Sequence, residues 1–199
     1  MEYTWDKLQP ALTQNHHYKN CHTFKDGFSD DEIQKIVDIG RTFEEKEGRA
    51  YGENMAGMSG SRNSAIRWLR CRPETQWIYE RFETLGKLAN ERIFQFHLTG
   101  IQDPLQFTQY GPDQCFDWHL DFERGPLSNR KLTLVLQLSD SDEYQGGDLQ
   151  IKVAAQHFTG PRKKGCVILF PAFLLHRVTP VETGTRLSLI GWTAGPCWR

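Results

Sequence analysis

No stretch of this 199-residue chain approaches the ~18 consecutive apolar residues that a membrane helix needs, so a spanning segment is not expected. Positive charge is not in surplus either. Twenty-four Lys and Arg stand against 25 Asp and Glu, a formal net charge of −1. Binding through neutralisation of phosphates or of an anionic bilayer is thereby disfavoured, and neither nucleic acid nor membrane is expected as a partner. Cysteine is sparse: five residues, at 21, 71, 115, 166 and 197, never as Cys-x-x-Cys. That pattern speaks against a disulfide framework and a structural zinc site, and for reduced thiols. Low-complexity tracts are absent. Met1-Glu2-Tyr3-Thr4-Trp5-Asp6 has neither the basic nor the apolar character of a secretory leader, so a cytoplasmic protein is expected.

What is present is a globular composition, 38% hydrophobic, 25% charged and 12% aromatic. The length suits a single domain over 1–199, which would bury roughly 70% of the surface its unfolded chain exposes. The first 25 residues are polar and aromatic without period and read as an arm or irregular edge strand. Ser29-Asp30-Asp31-Glu32 reads as a capping box opening a helix over about 30–47, with Ile33, Ile36, Val37 and Phe43 on one face. Residues 48–61 read as a mobile Gly-rich loop and Arg62–Leu69 as a strand. Pro73 opens a second helix with Ile78, Phe82, Leu85 and Ala89 on one face. Thereafter short β-rich segments alternate with turns: 93–98, 104–110, 115–121, 131–138, 147–153, 165–170, 174–181 and 186–194. Residues 1–92 thus read as an arm with buttressing helices, and 93–199 as an all-β core.

The chemistry centres on Tyr110-Gly111-Pro112-Asp113-Gln114-Cys115-Phe116-Asp117-Trp118-His119-Leu120-Asp121. On a strand, residues i and i+2 share a face, so His119 and Asp121 point together. His176, after the apolar run Val167-Ile168-Leu169-Phe170, would complete a facial set of two histidines and one carboxylate, which leaves positions open on iron(II). His-x-Asp alone is equally what a histidine bonded to a neighbouring Asp would give. Ten residues after His176 comes Arg186-Leu187-Ser188, a guanidinium fork and a hydroxyl on one strand face, suited to one end of a dicarboxylate.

These motifs, in this order, resemble the 2-oxoglutarate- and iron(II)-dependent oxygenases, in particular the prolyl 4-hydroxylase-like branch and its PKHD-type hydroxylases. Arg62-Asn63-Ser64-Ala65-Ile66-Arg67-Trp68-Leu69 is similar to that branch's early strand. Arg130–Leu138 with Tyr144-Gln145-Gly146-Gly147-Asp148-Leu149 is similar to its central strand and Gly-Gly hairpin, and His176-Arg177-Val178-Thr179-Pro180-Val181 continues the match. The resemblance covers roughly residues 62–194. It implies a double-stranded β-helix (jelly roll), mainly β, with N-terminal helices packed on one sheet. It further implies iron(II) held by His119, Asp121 and His176, and 2-oxoglutarate held at its distal carboxylate by Arg186, with Ser188 and Tyr110 at the same end. The reaction implied is hydroxylation of a C–H bond with O2, coupled to decarboxylation of 2-oxoglutarate to succinate and CO2, with ascorbate as a reductant by analogy. Halogenases of the wider family lack the carboxylate that Asp121 supplies, which favours hydroxylation. A peptidyl proline, an amino acid or a small metabolite is the expected substrate. A cupin-like metal-binding isomerase or small-molecule binding module remains an alternative, as does a nucleic-acid demethylase of the same superfamily. Loop 48–63, with Tyr51, Asn54, Met55, Met58, Ser59 and Arg62, is a candidate substrate lid. Trp118 and Trp192 are candidate walls of the site, and Asp117 a candidate partner for a ligand histidine. The basic run Arg162-Lys163-Lys164 reads as a solvated turn.

Overall fold

The computed structural model describes residue 15 and residues 17–48 and 62–197. Fifteen strands and two α-helices occur among them: β1 (His22–Phe24), α1 (Asp30–Arg41), β2 (Lys46–Glu47), β3 (Arg62–Asn63), β4 (Ala65–Leu69), α2 (Gln76–Ala89), β5 (Gly100–Ile101), β6 (Leu105–Tyr110), β7 (Cys115–His119), β8 (Arg130–Gln137), β9 (Tyr144–Gly146), β10 (Leu149–Val153), β11 (Gln156–Thr159), β12 (Val167–Pro171), β13 (His176–Val178), β14 (Val181–Gly184) and β15 (Arg186–Ala194). The major sheet has the order β1-β12-β8-β15-β6-β4-β2, with β5 on β15. A minor sheet has the order β11-β10-β13-β7-β3, and β14 and β9 pair separately. All these pairings are antiparallel.

The alternation of the three central strands decides where the site can be. On β8, Leu132, Leu134 and Leu136 join the core shared with α1 and α2. On β6 and β15, Leu105, Phe107 and Leu189 do the same, against Ile33, Ile36, Ile78, Phe82 and Leu85 of the helices. The intervening residues therefore face the minor sheet. They are Thr133, Val135 and Gln137, Gln106, Thr108 and Tyr110, and Arg186, Ser188, Ile190 and Trp192. Apolar contacts between Val135, Ile168 and Phe170 and the minor-sheet residues Leu149 and Ile151 close one end of the space between the sheets. The other end is lined by polar side chains. This is the expected jelly roll with its helices on one sheet.

The capping box is present: the Ser29 Oγ accepts from the Glu32 N–H and the Ser29 N–H donates to Glu32. The first helix ends at Arg41, six residues short of expectation. Thr42 folds its hydroxyl back onto the Ile39 carbonyl at 2.7 Å, and Lys46–Glu47 then pairs with β4. The second helix begins at Gln76 rather than at Pro73, because the Thr75 hydroxyl ties the backbone of Arg70 and Arg72 into a turn. Expected strand 93–98 is not a strand. Residues 90–94 form one wide turn closed by Gln95 in the left-handed region, φ 57°. The Asn90 side chain binds both backbone groups of Phe96, taking the place of a strand partner. The strand expected over 174–181 is two, split at Thr179-Pro180, and Arg62–Leu69 divides at buried Ser64 so that its halves join different sheets. The arm ends as edge strand β1 against β12. No helix among the described residues is long and apolar enough to cross a membrane.

Candidate metal centre and cosubstrate pocket

The pairing of β13 with β7 sets His176 opposite His119, and the Asp121 N–H bonds the Ala172 carbonyl at 3.1 Å just beyond β7. Asp121 is thus past the end of the strand rather than on it, yet it still converges with both histidines. One ligand atom from each of His119, Asp121 and His176 lies within 4.8 Å of the others. His119 Nδ1 is 2.7 Å from the Asp117 carbonyl oxygen and His176 Nδ1 is 2.9 Å from that of Leu174. A carbonyl can only accept, so each Nδ1 carries the proton and each Nε2 turns a lone pair toward the carboxylate. His176 Nε2 lies 3.3 Å from Asp121 Oδ2 and His119 Nε2 3.9 Å from Oδ1. Thr133 donates to Asp121 Oδ2 at 2.7 Å, and Arg130 reaches the Asp121 carbonyl at 3.3 Å.

Burial drives the His119 pKa down to about 3, with the neighbouring His176 adding to the effect and Asp121 opposing it. For Asp121 burial alone would raise the carboxyl. His176, His119 and Arg130 more than offset that and hold it well below the usual carboxylate range. Two imidazole Nε2 atoms and one ionised carboxylate, on one side of a common point, form a donor set suited to a divalent iron. The residues fit the metal that the sequence resemblance implies.

On the opposite wall Arg186 is 1% exposed. It donates to Ser188 Oγ at 3.2 Å and to Gln137 Oε1 at 3.0 Å, while its Nε has no partner. No acidic side chain among the described residues pairs with it. Tyr110 is opposite Arg186 in register, its ring 5.7 Å from the guanidinium. Burial raises the Tyr110 phenol, with Arg62 and Arg186 pulling the other way. Gly147 has φ +61°, and a Cβ there would lie 3.2 Å from Arg186 Cδ and 2.9 Å from Val181. All six expected site residues, His119, Asp121, His176, Arg186, Ser188 and Tyr110, line one pocket together with Arg62, Gln106, Phe116, Thr133 and Trp192. A wider cavity, about 340 Å³, lies between α2 and the segment 101–104, away from every one of these six.

The remaining sequence candidates sort unevenly. Trp192 lines the pocket, with Arg130 stacked 3.8 Å over its ring, but Trp118 is no wall of it and instead carries Arg177 and Lys152. Asp117 serves His119 through its backbone carbonyl, while its carboxylate turns to the Trp118 N–H. Arg162-Lys163-Lys164 leads into a turn as expected, with exposed Lys163 beside Asp26 and Lys164 near Asp30, while half-buried Arg162 donates to the Tyr144 carbonyl. Within the candidate lid 48–63, residues 49–61 lie outside the described residues. Thr133, Gln137 and Gln106 were not anticipated. Their polarity on otherwise apolar central strands, at the spacing that faces them away from the helices, was the available signal.

Residues 105–194 match the family model described as 2OG-Fe(II) oxygenase superfamily. A PKHD-type hydroxylase of Synechococcus sp. (strain CC9605) is 36% identical over 101 residues, covering 50% of this chain and 46% of that one. A second, from Cupriavidus pinatubonensis, is 33% identical over 115 residues, covering 54% and 50%. The match therefore spans about half the length of these relatives. Among solved structures, a Pseudomonas putida prolyl-4-hydroxylase superposes with TM-score 0.70 at 20% identity, over 89% of this chain and 93% of that one. A Trichoplax adhaerens prolyl hydroxylase, in complex with a hypoxia inducible factor peptide fragment, gives 0.70 at 14% identity over 88% and 83%. At such identities the likeness is one of fold.

Proposed function

We propose that this chain, whose residues 105–194 belong to the 2OG-Fe(II) oxygenase superfamily, is an Fe(II)- and 2-oxoglutarate-dependent dioxygenase that hydroxylates a C–H bond. The reaction is R–H + 2-oxoglutarate + O2 → R–OH + succinate + CO2. The observation that carries this reading is the pairing, across one pocket, of the His119/Asp121/His176 cluster with a buried arginine that lacks an anion. A sequestered guanidinium is costly without a counter-charge, and a metal-binding module with no dicarboxylate to hold has no use for it.

In this mechanism His119 Nε2, His176 Nε2 and one Asp121 oxygen hold the iron. The iron, when bound, supplies the redox chemistry that couples decarboxylation to oxygen insertion. Each Nδ1 keeps its proton and donates it to a backbone carbonyl, His119 to that of Asp117 and His176 to that of Leu174, which fixes both rings. Thr133 and Arg130 fix the carboxylate. Arg186 takes the distal carboxylate of 2-oxoglutarate as a fork, Ser188 and Gln137 orient that fork, and protonated Tyr110 bonds the same end. The buried faces of Phe116, Val135, Ile190 and Trp192 keep water from the reacting carbon.

The substrate is a peptidyl proline, an amino acid or another small metabolite, and O2 is consumed with it. Five unpaired cysteines favour the cytoplasm. The test is succinate formation by anaerobically purified protein given iron(II), 2-oxoglutarate and O2, beside His176→Ala. Slow substrate-free turnover that the variant abolishes is expected. Absence of turnover together with no charge-transfer band when 2-oxoglutarate meets the iron form would overturn the reading.

A further inference from the structure

The pocket holds a second arginine that the cosubstrate leaves unanswered. Arg62 enters from β3, paired in register with Phe116, and its guanidinium sits 4.7 Å from the Phe116 ring centroid. That ring in turn stacks on His119 at 3.4 Å, so Arg62 stands one aromatic layer from the metal cluster. Its Nε donates to Ser64 Oγ at 2.9 Å and its Nη1 makes a long contact, 3.5 Å, with Gln106 Oε1. Its Nη2 is shielded from solvent and has no partner. No carboxylate among the described residues pairs with it. Gly48 backs the side chain so closely that a Cβ there would lie 2.7 Å from Nε. Burial works against the charge of Arg62, and Tyr110 and Asp121 only partly offset that.

A count of charges points the same way. Asp121 and the two carboxylates of 2-oxoglutarate answer the iron and one arginine. Tyr110 is a neutral phenol and both histidines serve as neutral ligands, so among the described residues one buried positive charge remains. Resting on the oxygenase reading above, we infer that the hydroxylation substrate carries a carboxylate and that Arg62 is the residue that takes it. A free amino acid or other small organic acid fits, whereas a neutral prolyl segment leaves the guanidinium uncompensated. The indole N–H of Trp192, likewise buried and without a partner in the same pocket, offers that substrate a neutral donor.

The test uses anaerobic protein loaded with iron(II) and saturating 2-oxoglutarate, so that no turnover occurs. It is titrated with free amino acids and aliphatic carboxylic acids, each beside its amide, and followed by calorimetry and by thermal unfolding. At least one acid is expected to bind saturably and to raise Tm while its amide does not. Arg62→Met should weaken that binding at least tenfold, with Arg62→Lys intermediate because it keeps the charge and loses the fork. Unliganded Tm values of both variants report whether they fold. Equal binding of acid and amide, acid binding that survives Arg62→Met, or no binding by any acid overturns the inference. So does a tenfold loss of 2-oxoglutarate affinity in Arg62→Met, which would make Arg62 a cosubstrate residue. If wild-type protein with iron takes up no 2-oxoglutarate, the oxygenase reading itself fails instead.

Discussion

At the scale of single residues, the proposed ligand cluster His119, Asp121 and His176 leans on groups that would not touch a metal there. Thr133 holds Asp121 Oδ2 at 2.7 Å inside a buried pocket. Removing such an outer partner commonly costs about 10- to 100-fold in metal affinity, so Thr133→Val should weaken iron(II) or manganese(II) binding by about tenfold, and Thr133→Ser should restore it. Titration of the metal-free protein checks this, and an unchanged affinity would remove Thr133 from the machinery. The same cluster imposes a pH dependence on the metal-free fold. His119 is pushed down to about 3 and Asp121 is held below its ordinary range, so the unfolded chain takes up protons that the folded chain refuses. Stability is therefore fully present above the unfolded histidine pKa of about 6.5 and is lost as pH falls from there toward 3. Urea midpoints across that window should decline with acidification, and His119→Asn should flatten the decline. A midpoint that rose with acid would contradict the buried, neutral imidazole.

At the scale of elements, local signals succeed where the determinant is local. The Ser29 capping box was legible because its partners are three residues apart. Ser29→Ala should cost about 1 kcal/mol of stability, read from a denaturant midpoint. The central strands were legible from their β-branched and apolar content, and the His-x-Asp and Arg-x-Ser pairs from the period of two. What was not legible depended on distant partners. Segment 93–98 has a strand's composition, yet Asn90 satisfies its backbone and its apolar residues settle on the helical core. Strand β11, Gln156–Thr159, is exposed along its length and exists only as the hairpin partner of β10. Arg62 reads as the start of one strand over 62–69 and as the edge of a candidate lid, because nothing nearby in sequence says that Ser64 turns the chain from one sheet to the other. Gly146-Gly147 is legible as a motif, but it is a link and not the expected hairpin, since β9 pairs with β14 and β10 with β11 and β13, and its tight fit emerges from its closeness to Arg186. Gly147→Ala forces an L-residue to φ +61° and sets a methyl 3.2 Å from Arg186 Cδ. A loss of about 1 kcal/mol at that contact is about fivefold, which should appear as a raised KM for 2-oxoglutarate with metal affinity unchanged.

At the scale of the whole molecule, the two halves of the site belong to different sheets. His119 and His176 lie on β7 and β13 of the minor sheet, whereas Arg186 and Ser188 lie on β15 of the major sheet, which the helices back. A ligand that reaches both walls ties the sheets together, and one that reaches a single wall does not. 2-Oxoglutarate held by Arg186 alone engages the major sheet. On the proposed reading, iron held by His119, Asp121 and His176 would let it reach both sheets, so its affinity and its effect on unfolding should depend on the metal. A ligand at about 100 times its Kd stabilises by about 2.7 kcal/mol. For a chain of this size that is roughly 5–10 °C in Tm. Anaerobic protein with manganese(II) or iron(II) should therefore gain several degrees on adding millimolar 2-oxoglutarate, and metal-free protein should gain far less. His176→Ala leaves Arg186 and its partners Ser188 and Gln137 in place, so it isolates the metal's share: the variant should show only the small, metal-independent shift. An equal shift with and without metal would mean that the cosubstrate rests on the major sheet alone, and that the two walls act as separate sites sharing one pocket.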